Sequence, residues 1–546
     1  MERFFKINST VLVALALSAG VLFSASTASA GGDRAKVGYW LHNYKQIQSG
    51  PLYERSVRIF KRVLASADRR KGVEPRLYII DYKGLPWAQS LADGSIVLTK
   101  KAVDFCFAVK DPLTGDSRLA FVIGHELAHQ YNGDFWPYKF MVSTKGNLEF
   151  SGLKDYAGSP ETIMAAELQA DQYGIIYASM AGFGTDIIIS SQKNFFREWA
   201  RAVDPTLMGL GANHPSVKQR SIAVTGRLQE VTRRLDLFDL GVIAFNIGRY
   251  RESIPLLREF LKYYPGRAVY HNVGSAYLRL ALSSYRQWKG EDAIPFELSM
   301  EIDSSTRADS IGIGRSEDVG WEKEYRRNMN KAVDYLKKAS ESDPYYGLSR
   351  NNLGVAHILE GRYYNAISEL DEALRLMPGS KGVLNNRAVA YSLLGERLGK
   401  DVFNEIVIED MEKASSGGCE AVYGKNLMII SRMAGKKGDD LASMEIPKVI
   451  SLPEVKTTAQ AGEKLRGEGH IISEVIRMDD GAQLKAYRTS GNETVLVKDG
   501  IVIIAFKRKE VNSPIKRRCH EESVFSSREQ GRGVEPGRGI VFTFER

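Results

Sequence analysis

Leu119-Ala120-Phe121-Val122-Ile123-Gly124-His125-Glu126-Leu127-Ala128-His129 is an apolar run that closes on two histidines four positions apart. Four residues turn an α-helix slightly more than once, so both imidazoles leave the same face, near enough to share a metal ion. Glu126 stands next in line, where its carboxylate reaches a water on that metal rather than the metal itself. The apolar lead-in places this turn on a buried helix, and Gly124 leaves room for close backbone packing. Burying three polar side chains together is costly, which argues that they have a chemical task.

Glu167-Leu168-Gln169-Ala170-Asp171 forms a second such segment, set between Thr162-Ile163-Met164-Ala165-Ala166 and Tyr173-Gly174-Ile175. Its two acids are also at i and i+4 and face the same way. Glu167 suits the role of third zinc ligand. Asp171, one turn on, suits acceptance of the second imidazole N–H of a zinc histidine, which fixes the tautomer. His125, His129 and Glu167 would hold one Zn2+ per chain and leave a fourth position for water, the catalytic rather than the structural arrangement.

These residues resemble the M48 family of gluzincin metallopeptidases, over roughly residues 35–230. Ala88, Leu91 and Gly94, followed by Ser95-Ile96-Val97-Leu98-Thr99, are similar to that family's edge strand ahead of the zinc helix, with Trp87 where the family has Asn. Asn213-His214-Pro215 and Arg220 resemble its later His-Pro…Arg element. The likeness implies that Arg220 or His214 helps to stabilise the oxyanion, or else that His214 takes the fourth zinc position and holds the enzyme inactive. It also implies that Ser95, Ile96 and Val97 align substrate backbone by strand addition, as an exposed edge allows. The chemistry expected is peptide hydrolysis: zinc lowers the pKa of its water and polarises the carbonyl, and Glu126 moves the proton to the leaving amine.

Upstream, Arg3 and Lys6 precede an apolar run over Val11–Phe23 and a small-residue site at Ala28-Ser29-Ala30. That pattern reads as a secretory signal peptide over residues 1–30, cleaved after Ala30, and the run is short for a membrane span. A periplasmic location is the expectation. The rest is long enough for about three domains, and at 43% hydrophobic and 26% charged residues it is globular in composition. Cys106, Cys419 and Cys519 do not make a disulfide framework. Cys106 reads as a buried apolar thiol, and pairing of the other two is left open by their spacing. A net charge of +9 is modest for 546 residues. It suits peripheral association with anionic envelope surfaces, and no nucleic-acid motif accompanies it.

From about residue 234 a period of about 34 residues sets in, the signature of tetratricopeptide helix pairs. The clearest unit has Leu353-Gly354 in its first helix, Ala366, Leu370 and Ala373 in its second, and Pro378 at its close. Leu240-Gly241, Leu257, Phe260 and Pro265 repeat the spacing, as do Val273-Gly274 and Tyr277 with Ala332, Leu336, Ala339 and Pro344. A divergent unit carries Ala388, Tyr391 and Gly395. Between the halves of one unit, residues 287–323 form an insertion rich in Ser, Asp and Gly, which predicts a surface loop. Such arrays make concave surfaces that bind peptides or partner proteins. Asn272, Asn352 and Asn386 share one repeat position and read as structural, whereas Asn351 and Asn385 are placed for partner contact.

In the last ninety residues, Thr494–Val497 and Ile501–Ile504 flank Lys498-Asp499-Gly500, a hairpin signal. Further strands are expected at Ile471–Arg477 and Gln483–Arg488, and the basic stretch Val511–Gly539 has the composition of disorder. The fold class predicted is therefore multidomain α+β. A mainly helical gluzincin-like domain with a small edge-exposed sheet spans 31–230, an α-solenoid of tetratricopeptide repeats 234–435, and a β-rich region 455–546. The resemblance to M48 metallopeptidases, together with the repeats, implies a zinc endopeptidase of the bacterial envelope acting on misfolded or stalled exported and outer-membrane proteins, with envelope proteins as partners of the repeats. The alternative is a periplasmic chaperone or scaffold that binds proteins through its repeats, with peptidase activity secondary or shut off.

Overall fold

The computed structural model describes residues 36–84, 86–134, 160–184, 195, 198, 217–290, 293–303, 321–399, 404–416 and 420–433, with 469–471, 476–478, 481–489, 493–498, 501–507 and 540–543 towards the C-terminus. The signal-like segment, His214 and the two later cysteines lie outside the described residues.

The first part runs α1 (Val37–Asn43), β1 (Gln46–Ile47), α2 (Pro51–Ser66), β2 (Arg76–Ile80), β3 (Ala88–Ser90), β4 (Ser95–Thr99), α3 (Lys100–Phe107), α4 (Pro112–Asn132) and α5 (Pro160–Met180). Its sheet has the order β1-β2-β4-β3, with β2 and β4 parallel and the outer pairs antiparallel. This corrects the expectation for Ser95, Ile96 and Val97. They pair with Arg76, Leu77 and Tyr78 on one side, and Ile96 and Val97 pair with Ser90 and Gln89 on the other. The strand is buried along its whole length and offers no free edge. The outer strand next to α4 is β3. Trp87, just before it, is a core residue that packs against Trp40 at 4.7 Å and donates its backbone N–H to Thr99 Oγ1.

Local chemistry explains the two central helices. Asp111 caps α4 by accepting from Leu113 N and Thr114 N, and Pro112 occupies its first turn, where a missing N–H costs nothing. The helix ends at Gly133, whose φ of +78° is the left-handed conformation that glycine adopts without strain. Helices α4 and α5 meet backbone to backbone. A Cβ on Gly124 would lie 2.8 Å from Gly174 O, and one on Gly174 would lie 2.8 Å from His125 N. The expectation for Gly124 is borne out, and Gly174 is its counterpart.

A 30-residue helix, α6 (Val217–Asn246), then runs unbroken across positions 230–234, where one region was expected to give way to the next. It pairs with α7 (Tyr250–Leu261). The pairs α8 (Arg267–Lys289) with α9 (Trp321–Ser342), α10 (Gly347–Leu359) with α11 (Tyr363–Leu376), and α12 (Lys381–Leu398) with α13 (Asn404–Ser415) follow, and then α14 (Glu420–Met433). Gly241, Gly274 and Gly354 face Leu257, Leu336 and Leu370, each so closely that a Cβ would fall within 2.8 Å of the leucine Cγ. The glycine and leucine that recur in the sequence are thus the contact that closes each pair.

Residues 293–303 overturn the surface-loop expectation. Ile294, Phe296, Leu298 and Met300 are buried in the main apolar core, and the segment lies against the first helices of the repeats. The remaining strands are β5 (Gly469–Ile471), β6 (Ile476–Arg477), β7 (Gln483–Thr489), β8 (Glu493–Lys498), β9 (Ile501–Lys507) and β10 (Ile540–Thr543). The expected hairpin is present, with Lys498 paired to Ile501, and β10 adds in parallel to β9. This sheet meets the repeats through β6 on α7 and through Lys498, 3.4 Å from Glu252. No helix among the described residues is long and apolar enough to cross a membrane.

Candidate metal centre

Helix α4 carries His125, Glu126 and His129, all at most 6% exposed. The 3.6-residue period turns both imidazoles to one side, and their Nε2 atoms are 3.0 Å apart. Two imidazole nitrogens sharing a tetrahedral zinc stand about 3.3 Å apart, given Zn–N bonds of roughly 2.0–2.1 Å.

The opposite ring nitrogens face carboxylates. His125 Nδ1 lies 3.0 Å from Asp171 Oδ1, with both side chains 1% exposed, and His129 Nδ1 lies 3.6 Å from Asp134 Oδ2. Neither contact is aligned as a hydrogen bond. A neutral imidazole has one N–H and one acceptor nitrogen. In the tautomer with both protons on Nδ1, beside the carboxylates, both Nε2 atoms are acceptors directed at each other, whereas a proton on either Nε2 makes the 3.0 Å contact a hydrogen bond. Two lone pairs at 3.0 Å repel unless a cation, proton or metal, lies between them. The donor set therefore fits a zinc ion.

Glu126 is held from the sheet. Ser90 Oγ, on β3, shares its proton between Glu126 O at 2.5 Å and Glu126 Oε2 at 3.0 Å. Gln130, one turn beyond Glu126, donates to Gly94 O at 2.8 Å and ties the helix to the β3–β4 turn. Sequence reading missed Ser90 and Asp134. Asp134 could have been suspected, because it follows the helix-ending glycine five residues after His129. Ser90 carries no such signal.

Glu167 lies on α5 one turn before Asp171, but its side chain, like that of Arg220 on α6, is outside the described residues. Among the described residues no three His, Cys, Asp or Glu side chains cluster as a complete metal-binding group. Ser95, Ile96 and Val97 lie in the sheet interior rather than along the site. Cys106 is buried on α3, where desolvation pushes its thiol up to about 12 and leaves it without nucleophilic character at neutral pH. No protein-family model matches this chain, nor does any curated protein.

Proposed function

We propose that the chain is a zinc-dependent endopeptidase, and the observation that supports this most directly is the convergence of His125 Nε2 and His129 Nε2 at 3.0 Å beside a buried Glu126. A zinc ion held there, with Glu167 as third ligand, supplies Lewis acidity towards a peptide carbonyl and lowers the pKa of water. Asp171 and Asp134 keep the histidine protons on Nδ1 and so keep both Nε2 atoms available. Glu126 takes the proton from the attacking water and delivers it to the leaving amine. Ser90 fixes that carboxylate by its hydrogen bond. Substrate backbone is aligned along β3, which borders the zinc helix, and Arg220 or His214 stabilises the oxyanion, with inhibition the other role open to His214.

The setting proposed is the bacterial periplasm, reached by the signal-like N-terminus, and the repeats bring client or partner proteins to the site. The test pairs metal analysis with cleavage of an unfolded protein such as casein. Zinc near one per chain is expected in the wild type and in Glu126→Gln, with cleavage at least about a hundredfold slower in the variant. Undiminished cleavage by Glu126→Gln would sink the assignment, as would zinc content unaffected by the joint change His125→Ala and His129→Ala.

A further inference from the structure

The inner helices of the repeats carry a row of buried asparagines that grips the backbone of residues 297–303. Asn426 on α14 donates to Glu297 O at 2.7 Å and accepts from Glu297 N at 2.8 Å. Asn386 on α12 does the same to Ser299, at 2.7 and 2.8 Å, and Asn272 on α8 to Asp303, at 2.9 and 2.8 Å. Asn385 and Asn351 add donors to Glu297 O and Ser299 O, and Asn352 donates to Glu301 O. The asparagines also bond to one another, Asn426 to Asn385, Asn386 to Asn351 and Asn351 to Asn352, so each fixes its neighbour's amide. Both groups of asparagines, the one read as structural and the one read as partner-facing, therefore perform the same task.

The bonded residues are 297, 299, 301 and 303, a two-residue rhythm that belongs to an extended chain. Residues between them turn apolar side chains into the core, with Phe296, Leu298 and Met300 at most 3% exposed. Residue numbers fall along the segment as they rise along the array, from Asp303 on Asn272 to Glu297 on Asn426. A primary amide offers one donor and one acceptor side by side, the complement of a peptide unit's C=O and N–H. The asparagines thus read main chain, while side-chain contacts are added at the two ends, where Lys425 Nζ lies 2.9 Å from Glu297 Oε1 and Tyr346 donates its hydroxyl to Asp303. Gly382 makes room for the segment, since a Cβ there would meet Ser299 Oγ.

We infer that this groove is a binding site for extended polypeptide with apolar residues at alternate positions, the pattern of an unpaired β-strand, and that residues 294–303 are its exchangeable internal occupant. An incoming strand takes over the asparagine bonds and expels the internal segment. The inference is independent of the zinc chemistry, and its test reads binding alone.

The probe is a fluorescent peptide with the sequence of residues 294–303, followed by polarisation. It is titrated into full-length chain, into a chain with 294–303 replaced by a Gly/Ser linker of equal length, and into that chain with Asn386→Ala and Asn426→Ala. At least tenfold tighter binding to the linker chain than to wild type is expected, and at least a tenfold loss on removing the two asparagines. A peptide shuffled among the other positions, keeping the alternation and the Glu297 and Asp303 side chains, should bind alike, and one N-methylated at the Glu297 and Ser299 positions should not bind. No binding to a folded linker chain, or equal binding to wild type, overturns the inference. Should the linker chain lose its cooperative melting, hydrogen exchange on full-length Glu126→Gln decides. Excess reduced, carboxymethylated α-lactalbumin must strip protection from the amides of 297, 299 and 303, and unchanged protection identifies a permanent strut.

Discussion

Glu126 is buried at 2% exposure, and the Ser90 hydroxyl reaches both its carbonyl and its carboxylate. One hydroxyl has one proton, so that proton is shared between two acceptors of the same residue, which fixes the side chain relative to its own helix. A hydrogen bond to a charged group contributes about 1.5 kcal/mol or more. Ser90→Ala is accordingly expected to lower kcat about tenfold while KM changes little. Ser90→Thr, which keeps the hydroxyl, should recover most of the rate. A variant that melts earlier yet turns over at the wild-type kcat would show Ser90 to be structural only. The residue was illegible in sequence because serine before a turn has many ordinary uses, and its partner lies 36 positions away. His125 and His129 were legible for the opposite reason: their spacing and the helical period are local.

At the scale of elements, the crossing of α4 and α5 sets the distance between His125 and Asp171. Gly174 presents its open side to His125 N and Cα, at 2.8 and 3.1 Å from a Cβ built there, and backbone atoms do not yield as a flexible side chain would. Gly174→Ala must push the helices apart, at about 1–3 kcal/mol for an overpacked contact, and should lower the melting temperature of metal-free protein and its zinc affinity together. Asp171→Asn keeps the side-chain volume and should weaken zinc by about 10–100-fold while the metal-free melting temperature stays near that of the wild type. Melting of Gly174→Ala at the wild-type temperature would refute the account of the crossing. The repeats were readable in advance because Gly241, Gly274 and Gly354 and their leucines recur at a fixed period. Two elements were not. Whether β4 or β3 forms the edge depends on β2, fifteen or more residues away from β4 along the chain, and nothing in Ser95–Thr99 encodes it. Residues 293–303 read as a loop because the asparagines that bury them lie 31 to 129 positions away.

Across the whole molecule, one apolar cluster extends from Ile59 to Ile504, so the helices of the candidate metal centre and the helix pairs that follow share a continuous core. Their seam is polar and buried. Asp68, after α2, accepts from Tyr264 Oη at 2.8 Å and from Arg267 N at 2.9 Å. Arg267 spans to Asp343 and donates to Ala65 O at 2.5 Å, while Arg69 bonds Asp343 and Tyr345 O at 3.2 and 2.7 Å. Tyr264 packs on Tyr173 of α5, and Tyr173 on Tyr131, two positions past His129 on α4, so the seam reaches the end of that helix. Burial pushes the Asp68 carboxyl up from 3.8 to about 6, against the opposing pull of Arg267. A carboxyl whose pKa is higher folded than unfolded favours the fold fully below its unfolded value, and that contribution is lost as pH rises through the folded value. At 1.36 kcal/mol per unit, Asp68 should remove up to about 3 kcal/mol between pH 4 and pH 7. Denaturant unfolding at the two pH values, with wild type and Asp68→Asn side by side, isolates this from other titrating groups such as His271, whose burial acts in the opposite sense by holding its imidazole down at about 4. The wild type should lose stability relative to Asp68→Asn as pH rises. A stability difference between the two proteins that stays constant from pH 4 to pH 7 would mean that Asp68 does not change its proton occupancy on folding, and that the seam is held by hydrogen bonding and packing independent of pH.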